Sequence, residues 1–258
     1  MSTTARLAGK TALVTGGSRG IGRAISRRLA QDGALVAVHY GHDASAAERT
    51  VKEIEADGGR AVAVHAELGV HGDADTLWSA FDRALADRGA DGGLDILVNN
   101  AGITVPRRIA DVTEADYDRV FAINTKAPFF IVQRGLDRLR DGGRIVNISS
   151  VATRVAFPAI VSYTMTKAAL DYLTLALAQE LGPRGITVNA VAPGYTETEI
   201  NPTLAVPEIR RRYSEASVFS RLGQPVDIAD VVSFVASDDA RWVTGQWIDA
   251  SGGAHLGV

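Results

Sequence analysis

Short runs of β-branched and apolar residues recur along the chain, and between them lie longer stretches in which apolar positions return every three or four residues. The runs predict seven strands, at Thr11–Thr15, Ala34–Tyr40, Arg60–His65, Leu94–Val98, Arg144–Ser149, Gly185–Ala192 and Gln246–Ala250. The stretches between predict helices over Ile21–Gln31, Ala44–Ala56, Ala74–Arg88, Glu114–Leu139, Val161–Leu181 and Val226–Ser237. Most strand candidates are continuously apolar, so both faces should be covered, as in a parallel sheet between two helical layers. The pattern therefore predicts an α/β fold with a doubly wound sheet, and with no repeat or Pro/Ser linker it predicts one domain over residues 1–258. Asp91-Gly92-Gly93 and Asp141-Gly142-Gly143 read as turns entering strands. The least regular stretch, 195–224, carries Pro202, Pro207 and Arg210-Arg211-Arg212, and is long enough for a lid or substrate loop.

Composition narrows the function. With 46% hydrophobic and 22% charged residues the chain can build a substantial core. A formal net charge of −3 gives no global basic field to draw it to nucleic acid or anionic membrane. The absence of cysteine excludes disulfides, thiolate metal sites and a cysteine nucleophile, and His39, His42, His65, His71 and His255 show no metal-ligand spacing, so no metal is expected. Met1 to Lys10 lacks the apolar core of a signal peptide and no run is long enough to span a bilayer, which points to a soluble cytoplasmic protein.

Four constellations carry chemistry. Thr15-Gly-Gly-Ser-Arg-Gly-Ile-Gly22 lies between a strand and a helix. Gly16, Gly20 and Gly22 allow a tight turn and close approach of a ligand, and the following helix offers free N–H groups to a pyrophosphate. The Gly-x-x-x-Gly-x-Gly spacing differs from the usual dinucleotide fingerprint, and an ordinary glycine-rich turn is the alternative. At the tip of the second strand stand His39, Tyr40, Gly41 and His42, with no carboxylate to hold an adenosine ribose and repel a 2′-phosphate. Arg19 can reach such a phosphate or simply be solvated, and the balance favours NADP over NAD. Tyr163 and Lys167, four apart, share one helical face, where an ammonium would lower the phenol pKa; taken alone such a pair reads as exposed surface, and only the other motifs turn the reading. Ser150, in Asn147-Ile-Ser-Ser150, ends a strand where open α/β sheets bind ligands, and is either an oxygen-holding hydroxyl or a cap. Asn99-Asn-Ala-Gly102 ends another strand on that rim.

Taken together, these motifs resemble the short-chain dehydrogenase/reductase family over about Leu7 to Gly253. The resemblance implies a Rossmann-type sheet of seven parallel strands in the order 3-2-1-4-5-6-7, and commonly a homotetramer. It implies a catalytic quartet of Asn124, Ser150, Tyr163 and Lys167. Tyr163 would be the general acid, Ser150 would hold the substrate oxygen, Lys167 would bind the nicotinamide ribose, and Asn124 would support a water-linked proton relay. Cofactor contacts would come from Gly16, Ser18, Arg19, Gly20, Ile21, Gly22, Tyr40, Glu67, Leu68, Asn100, Ala101 and Gly102. Tyr163, Lys167, Pro193, Gly194, Thr196 and Thr198 would complete them. Two departures stand out: Glu67 replaces a common Asp, and Asp249-Ala-Ser-Gly-Gly253 carries two residues inserted into the usual Asp-Gly-Gly ending.

Within the family the likeness is to 3-oxoacyl-acyl-carrier-protein reductases and related carbonyl reductases. Arg184 falls where those reductases have an arginine that helps dock the carrier, while Arg138, Arg140 and Asp141 stand at the second docking position. Arg107, Arg108 and Arg154 lie on segments near the rim, and solvation is the preferred reading of them. The expectation is an NADPH-dependent reductase of a small-molecule ketone or a carrier-linked 3-oxoacyl thioester. The alternatives are an NAD-dependent alcohol or sugar dehydrogenase and, from another class, a cofactor-binding sensor or scaffold without turnover.

Overall fold

The computed structural model describes residues 5–199, 202–254 and 256; His255 and positions 200 and 201 of the expected lid lie outside them. Seven strands form one parallel sheet: β1 (Thr11–Val14), β2 (Leu35–Tyr40), β3 (Arg60–His65), β4 (Leu94–Asn99), β5 (Leu139–Ile148), β6 (Thr187–Pro193) and β7 (Trp247–Ala250). Their order is β3-β2-β1-β4-β5-β6-β7, as expected. β1, β4 and β6 are buried at every position, which is what their unbroken apolar runs require. The helices are α1 (Gly20–Gln31), α2 (Ala44–Ala56), α3 (Asp73–Ala86), α4 (Glu114–Phe121), α5 (Ala127–Gly135), α6 (Val161–Leu181), α7 (Pro207–Glu215) and α8 (Pro225–Ala236).

Two apolar clusters, one on each face of the sheet, hold the layers together. Trp78 and Phe81 of α3 pack with Ile131 of α5 and Leu177 of α6 on one face, and Ile25 and Leu29 of α1 pack with Ile228 and Val232 of α8 on the other. Trp78 spends its indole N–H on the Ile131 carbonyl at 3.0 Å, so a buried donor is satisfied as its ring packs. Helix starts are marked in the sequence: Asp43 accepts the Ala46 N–H at 2.9 Å at the head of α2, and Gln224 and Asp227 form a capping box around Pro225 at the head of α8.

Three expectations change. The helix expected over Glu114–Leu139 is α4, a π-helical turn at Ala122–Lys126, and α5. Pro128 has no N–H to give the carbonyl of residue 124, so the α ladder cannot continue there, although the apolar period runs straight through. Leu139 belongs to β5, where it pairs with Leu94. The register shift before the Ile96–Arg144 pair absorbs Asp141-Gly142-Gly143 as an irregularity of the strand, with Gly142 at φ +74°. The irregular 195–224 stretch contains a 3-10 turn at Pro202–Ala205 and α7, whose first residue is Pro207.

Candidate active site

The rim at the carboxyl ends of β1, β2, β4, β5 and β6 gathers the motifs. β1 runs into the glycine turn, where Gly16 and Gly20 have φ of +62° and +52°, values that strain any residue with a Cβ. A Cβ on Gly22 would drive into the Gly16 carbonyl, so the turn can close only on glycine. Arg19 occupies the N-cap position of α1 in extended conformation without capping it through its side chain, and the first turn holds no acidic residue. The amides there are left for an outside acceptor, and this fits the pyrophosphate of a dinucleotide. Ser18 is buried, its carbonyl receiving the Thr50 hydroxyl at 3.1 Å, Ile21 packs on the core, and Arg19 is exposed beside the turn.

The end of β4 locks onto this turn. Asn100 Nδ2 donates to the carbonyls of Thr15 at 2.8 Å and Gly16 at 3.1 Å, while Thr15 Oγ1 accepts the N–H groups of Asn100 and Ala101, both at 3.0 Å. Tyr40 lies against His65 with ring centroids 5.1 Å apart, Glu67 is exposed, and Leu68 leans on the core. One residue of the rim escaped the sequence reading in its role. His39 is 2% exposed, its Nδ1 accepting the Gly16 N–H at 3.0 Å and its Nε2 facing the Ala66 carbonyl at 2.9 Å. Burial pushes its imidazole down to about 4. A histidine set in an otherwise apolar strand was the available signal.

Asn124, Ser150, Tyr163 and Lys167 come together from three segments: the π turn, the end of β5 and α6. Asn124 is fully buried in the π turn; its Oδ1 accepts the Ile103 N–H at 2.9 Å, and its Nδ2 donates to the Ile103 carbonyl at 2.9 Å and to Thr166 Oγ1 at 3.1 Å. Ser150 Oγ accepts the Ala152 N–H at 3.2 Å. Tyr163 is half-buried on α6; burial pushes its phenol up, and a hydrogen bond with the Ser150 hydroxyl pulls against that. This direction is opposite to the lowering expected from Lys167. The reason is geometric: Lys167 Nζ donates to the Ile148 carbonyl at 2.7 Å and stands 5.7 Å from the centre of the Tyr163 ring. Burial brings the Lys167 amine itself down to about 8, against the pull of Asp171 one turn further along α6. A Cβ added to Gly102 would lie 3.4 Å from both Lys167 Nζ and Asn124 Oδ1, which places this glycine at the centre of the group.

Beyond β6, a Cβ on Gly194 would run into Ser251, whose N–H is held by Asp249 Oδ1 at 2.8 Å, so the two residues inserted after Asp249 pack beneath the Pro193-Gly194 segment. Thr196 Oγ1 donates to the Gly194 carbonyl at 3.2 Å, and Thr198 reaches the glycine turn, where its Cγ2 would be 3.4 Å from a Cβ on Gly20. The 195–224 segment is tied back on itself: Arg210 of α7 donates to both Glu197 oxygens, at 2.6 and 3.0 Å. That bond, with one from Gln224, holds the Glu197 carboxyl down at about 2. Tyr195 stacks on Tyr213 of α7 with centroids 3.9 Å apart and meets Phe157, on the segment between Ser150 and Tyr163, edge-on at 6.1 Å. This aromatic wall is spread over three distant segments and has no local signature.

Of the three arginines expected on segments near the rim, Arg108 is exposed and the other two are engaged, as are those at the expected carrier-docking positions. Arg107 donates to Asp116 at 2.9 Å and Arg154 lies over the Trp247 ring at 4.9 Å. Arg184 donates to Asp141 at 2.8 Å, to the Leu136 carbonyl at 3.0 Å and to the Leu139 carbonyl. Arg138 grips Asp82 at 3.0 and 2.6 Å, and Arg140 pairs with Asp95 at 2.6 Å and with Asp91. Among the described residues, no helix is long and apolar enough to cross a membrane.

Known proteins are similar to this chain over nearly its whole length. A family model described as enoyl-(acyl carrier protein) reductase matches residues 16–255. The crystal structure of the angucycline C-6 ketoreductase LanV with bound NADP superimposes with a TM-score of 0.95 at 54% identity, covering 98% of each chain. Versicolorin reductase stcU of Emericella nidulans is 40% identical over 261 residues, covering 96% of this chain and 97% of its own. The 3-oxoacyl-[acyl-carrier-protein] reductase FabG of Staphylococcus aureus is 39% identical over 249 residues, with 96% and 98% covered.

Proposed function

Because the chain belongs to the short-chain dehydrogenase/reductase family, we propose that it is an NADPH-dependent ketoreductase whose substrate is a ketone on a fused-ring aromatic skeleton. The observation that carries the chemistry is the gathering of Lys167 and Asn124 about Gly102 with the Lys167 amine over the Tyr163 ring, on the same rim as Ser150 and the glycine turn. The substrate class is supported by the Phe157, Tyr195 and Tyr213 wall, whose faces suit a flat ring system. The angucycline ketoreductase and the versicolorin reductase similar to this chain support it too. A carrier-linked thioester fits less well, because Arg138, Arg140 and Arg184 are already held by intramolecular carboxylates.

Gly16, Gly20, Gly22 and the first amides of α1 would hold the pyrophosphate, with Arg19 at the 2′-phosphate. When bound, NADPH supplies the hydride. Tyr163, which burial keeps protonated at neutral pH, gives its proton to the carbonyl oxygen. Ser150 Oγ accepts the Ala152 N–H, and its hydroxyl hydrogen, which faces the phenol, would turn to donate to the same oxygen. Lys167 lies over the tyrosine ring, would hold the nicotinamide ribose, and contributes positive charge below about pH 8. Both amide hydrogens of Asn124 are spent, so its share in returning a proton would run through its backbone.

The 195–224 segment, closed by Arg210 and Glu197, would form the lid. Tyr172 and Leu175 on α6 and Trp242 before β7 are exposed apolar groups that we assign to contacts in a homotetramer, which light scattering would test. The functional test is NADPH consumption with bicyclic and tetracyclic aromatic ketones beside acetoacetyl thioesters. A kcat/KM at least tenfold higher for the ring ketones supports the reading, and a preference for the thioester overturns its substrate half.

A further inference from the structure

The glycine turn is held from below by a buried side chain. His39 receives the Gly17 N–H on its backbone carbonyl at 2.8 Å and the Gly16 N–H on its ring Nδ1 at 3.0 Å. On the far side of the ring, Nε2 faces the Ala66 carbonyl just beyond β3 at 2.9 Å. The Gly16 carbonyl is taken by Asn100 at 3.1 Å, so the peptide units on either side of Gly16 are gripped from β2 on one side and β4 on the other. We propose that His39 is a positioning residue for the cofactor turn: its neutral imidazole, with the proton on Nε2, pins Gly16 to the end of β3 and so sets the backbone that receives the pyrophosphate.

The tautomer follows from the partners. A backbone N–H can only donate, so Nδ1 must present a lone pair; a carbonyl can only accept, so Nε2 must carry the hydrogen. A second proton on the ring would set one N–H against another at Gly16. The ring is 2% exposed, and the titratable group that faces it is His65 of the neighbouring β3, whose positive form would oppose protonation further. The turn and Ala66 meet it with backbone. Burial keeps the imidazole neutral through the physiological range. An apolar residue of the same size would fill the space and leave the Gly16 N–H without its acceptor.

The inference rests on the reading of Gly16–Gly22 as the cofactor turn, and the test separates the two. NADP binding is followed by calorimetry on the wild type and on His39→Asn, His39→Gln and His39→Phe, with steady-state kinetics in NADPH. Asn places its oxygen near the Nδ1 position and keeps the Gly16 bond, whereas Gln places its nitrogen near Nε2 and keeps only the Ala66 bond. The expected order is wild type close to Asn, with Gln and Phe binding NADP about tenfold or more weakly and losing more in KM for NADPH than in kcat. In addition, with only five histidines in the chain, two-bond proton–nitrogen spectra of histidine-labelled wild type should show one ring fixed as the neutral Nε2–H form at pH 7. If the wild type itself does not bind NADP, the reading of the turn fails. If it binds and His39→Phe binds as well, if Asn and Gln are equally impaired, or if no ring shows that tautomer, His39 is not the positioning group.

Discussion

Lys167 directs its ammonium away from the phenol it was expected to activate and into the carbonyl of Ile148, at 2.7 Å. That carbonyl closes β5, two residues ahead of Ser150, so the lysine ties α6 to the strand that presents the serine. The electrostatic support it gives Tyr163 passes over the ring face, 5.7 Å away, and is weaker than a direct contact.

Tyr163→Phe removes the proton donor and little volume. The expected result is a fall in kcat of about a hundredfold or more, with NADPH affinity, read by fluorescence titration, within about twofold of wild type. Retained turnover would remove Tyr163 from the acid role.

Lys167 is 3% exposed and its amine sits at about 8, below the ordinary lysine value. Between those two values the unfolded chain binds more protons than the folded one, so stability rises with pH there, and the cost of the buried charge is fully present below about pH 8. Lys167→Met should therefore raise stability at pH 7 by about 1–2 kcal/mol, net of the lost bond to Ile148, while it lowers kcat. Urea denaturation at pH 7 reads the first effect. A lower midpoint would mean that the lysine is held at no cost.

His39 works in the acid range. Its folded value of about 4 lies below the usual histidine value, so between the two the unfolded chain again binds more protons, and stability present near neutrality is lost as the pH falls. The loss reaches up to about 3 kcal/mol by pH 4. It should appear as the difference between wild type and His39→Asn in urea midpoints measured from pH 7 down to pH 4.5. Parallel curves would show that the ring titrates normally.

Arg19 is exposed beside the turn, and β2 ends without a carboxylate. Arg19→Ala should weaken NADPH binding by about ten- to a hundredfold, the worth of a charge-assisted hydrogen bond, and leave NADH binding unchanged. Equal loss for both cofactors would place the arginine at the pyrophosphate.

The seven strand runs, the position of the glycine turn after β1 and the shared helical face of Tyr163 and Lys167 could be read directly from the amino-acid sequence, whereas the strand order came only through the family resemblance that the motifs carry. Each of those three direct readings depends on local regularity: continuous apolar runs for covered strands, glycines where φ is positive, and a four-residue interval on a helix. The break at Ala122–Lys126 could not be read so easily, because the apolar period of a helix is nearly the same on both sides of a π turn. Leu139 looked helical for a similar reason, since its spacing from Leu136 fits a helix while its partner is Leu94 across the sheet. Folding alone decided which carbonyl receives the Lys167 ammonium, that the His39 ring would bridge Gly16 and Ala66, and that Tyr195 and Tyr213 would stack. These are contacts between segments far apart in the chain, chosen by which buried donor meets which acceptor once the layers pack, and no periodicity records them.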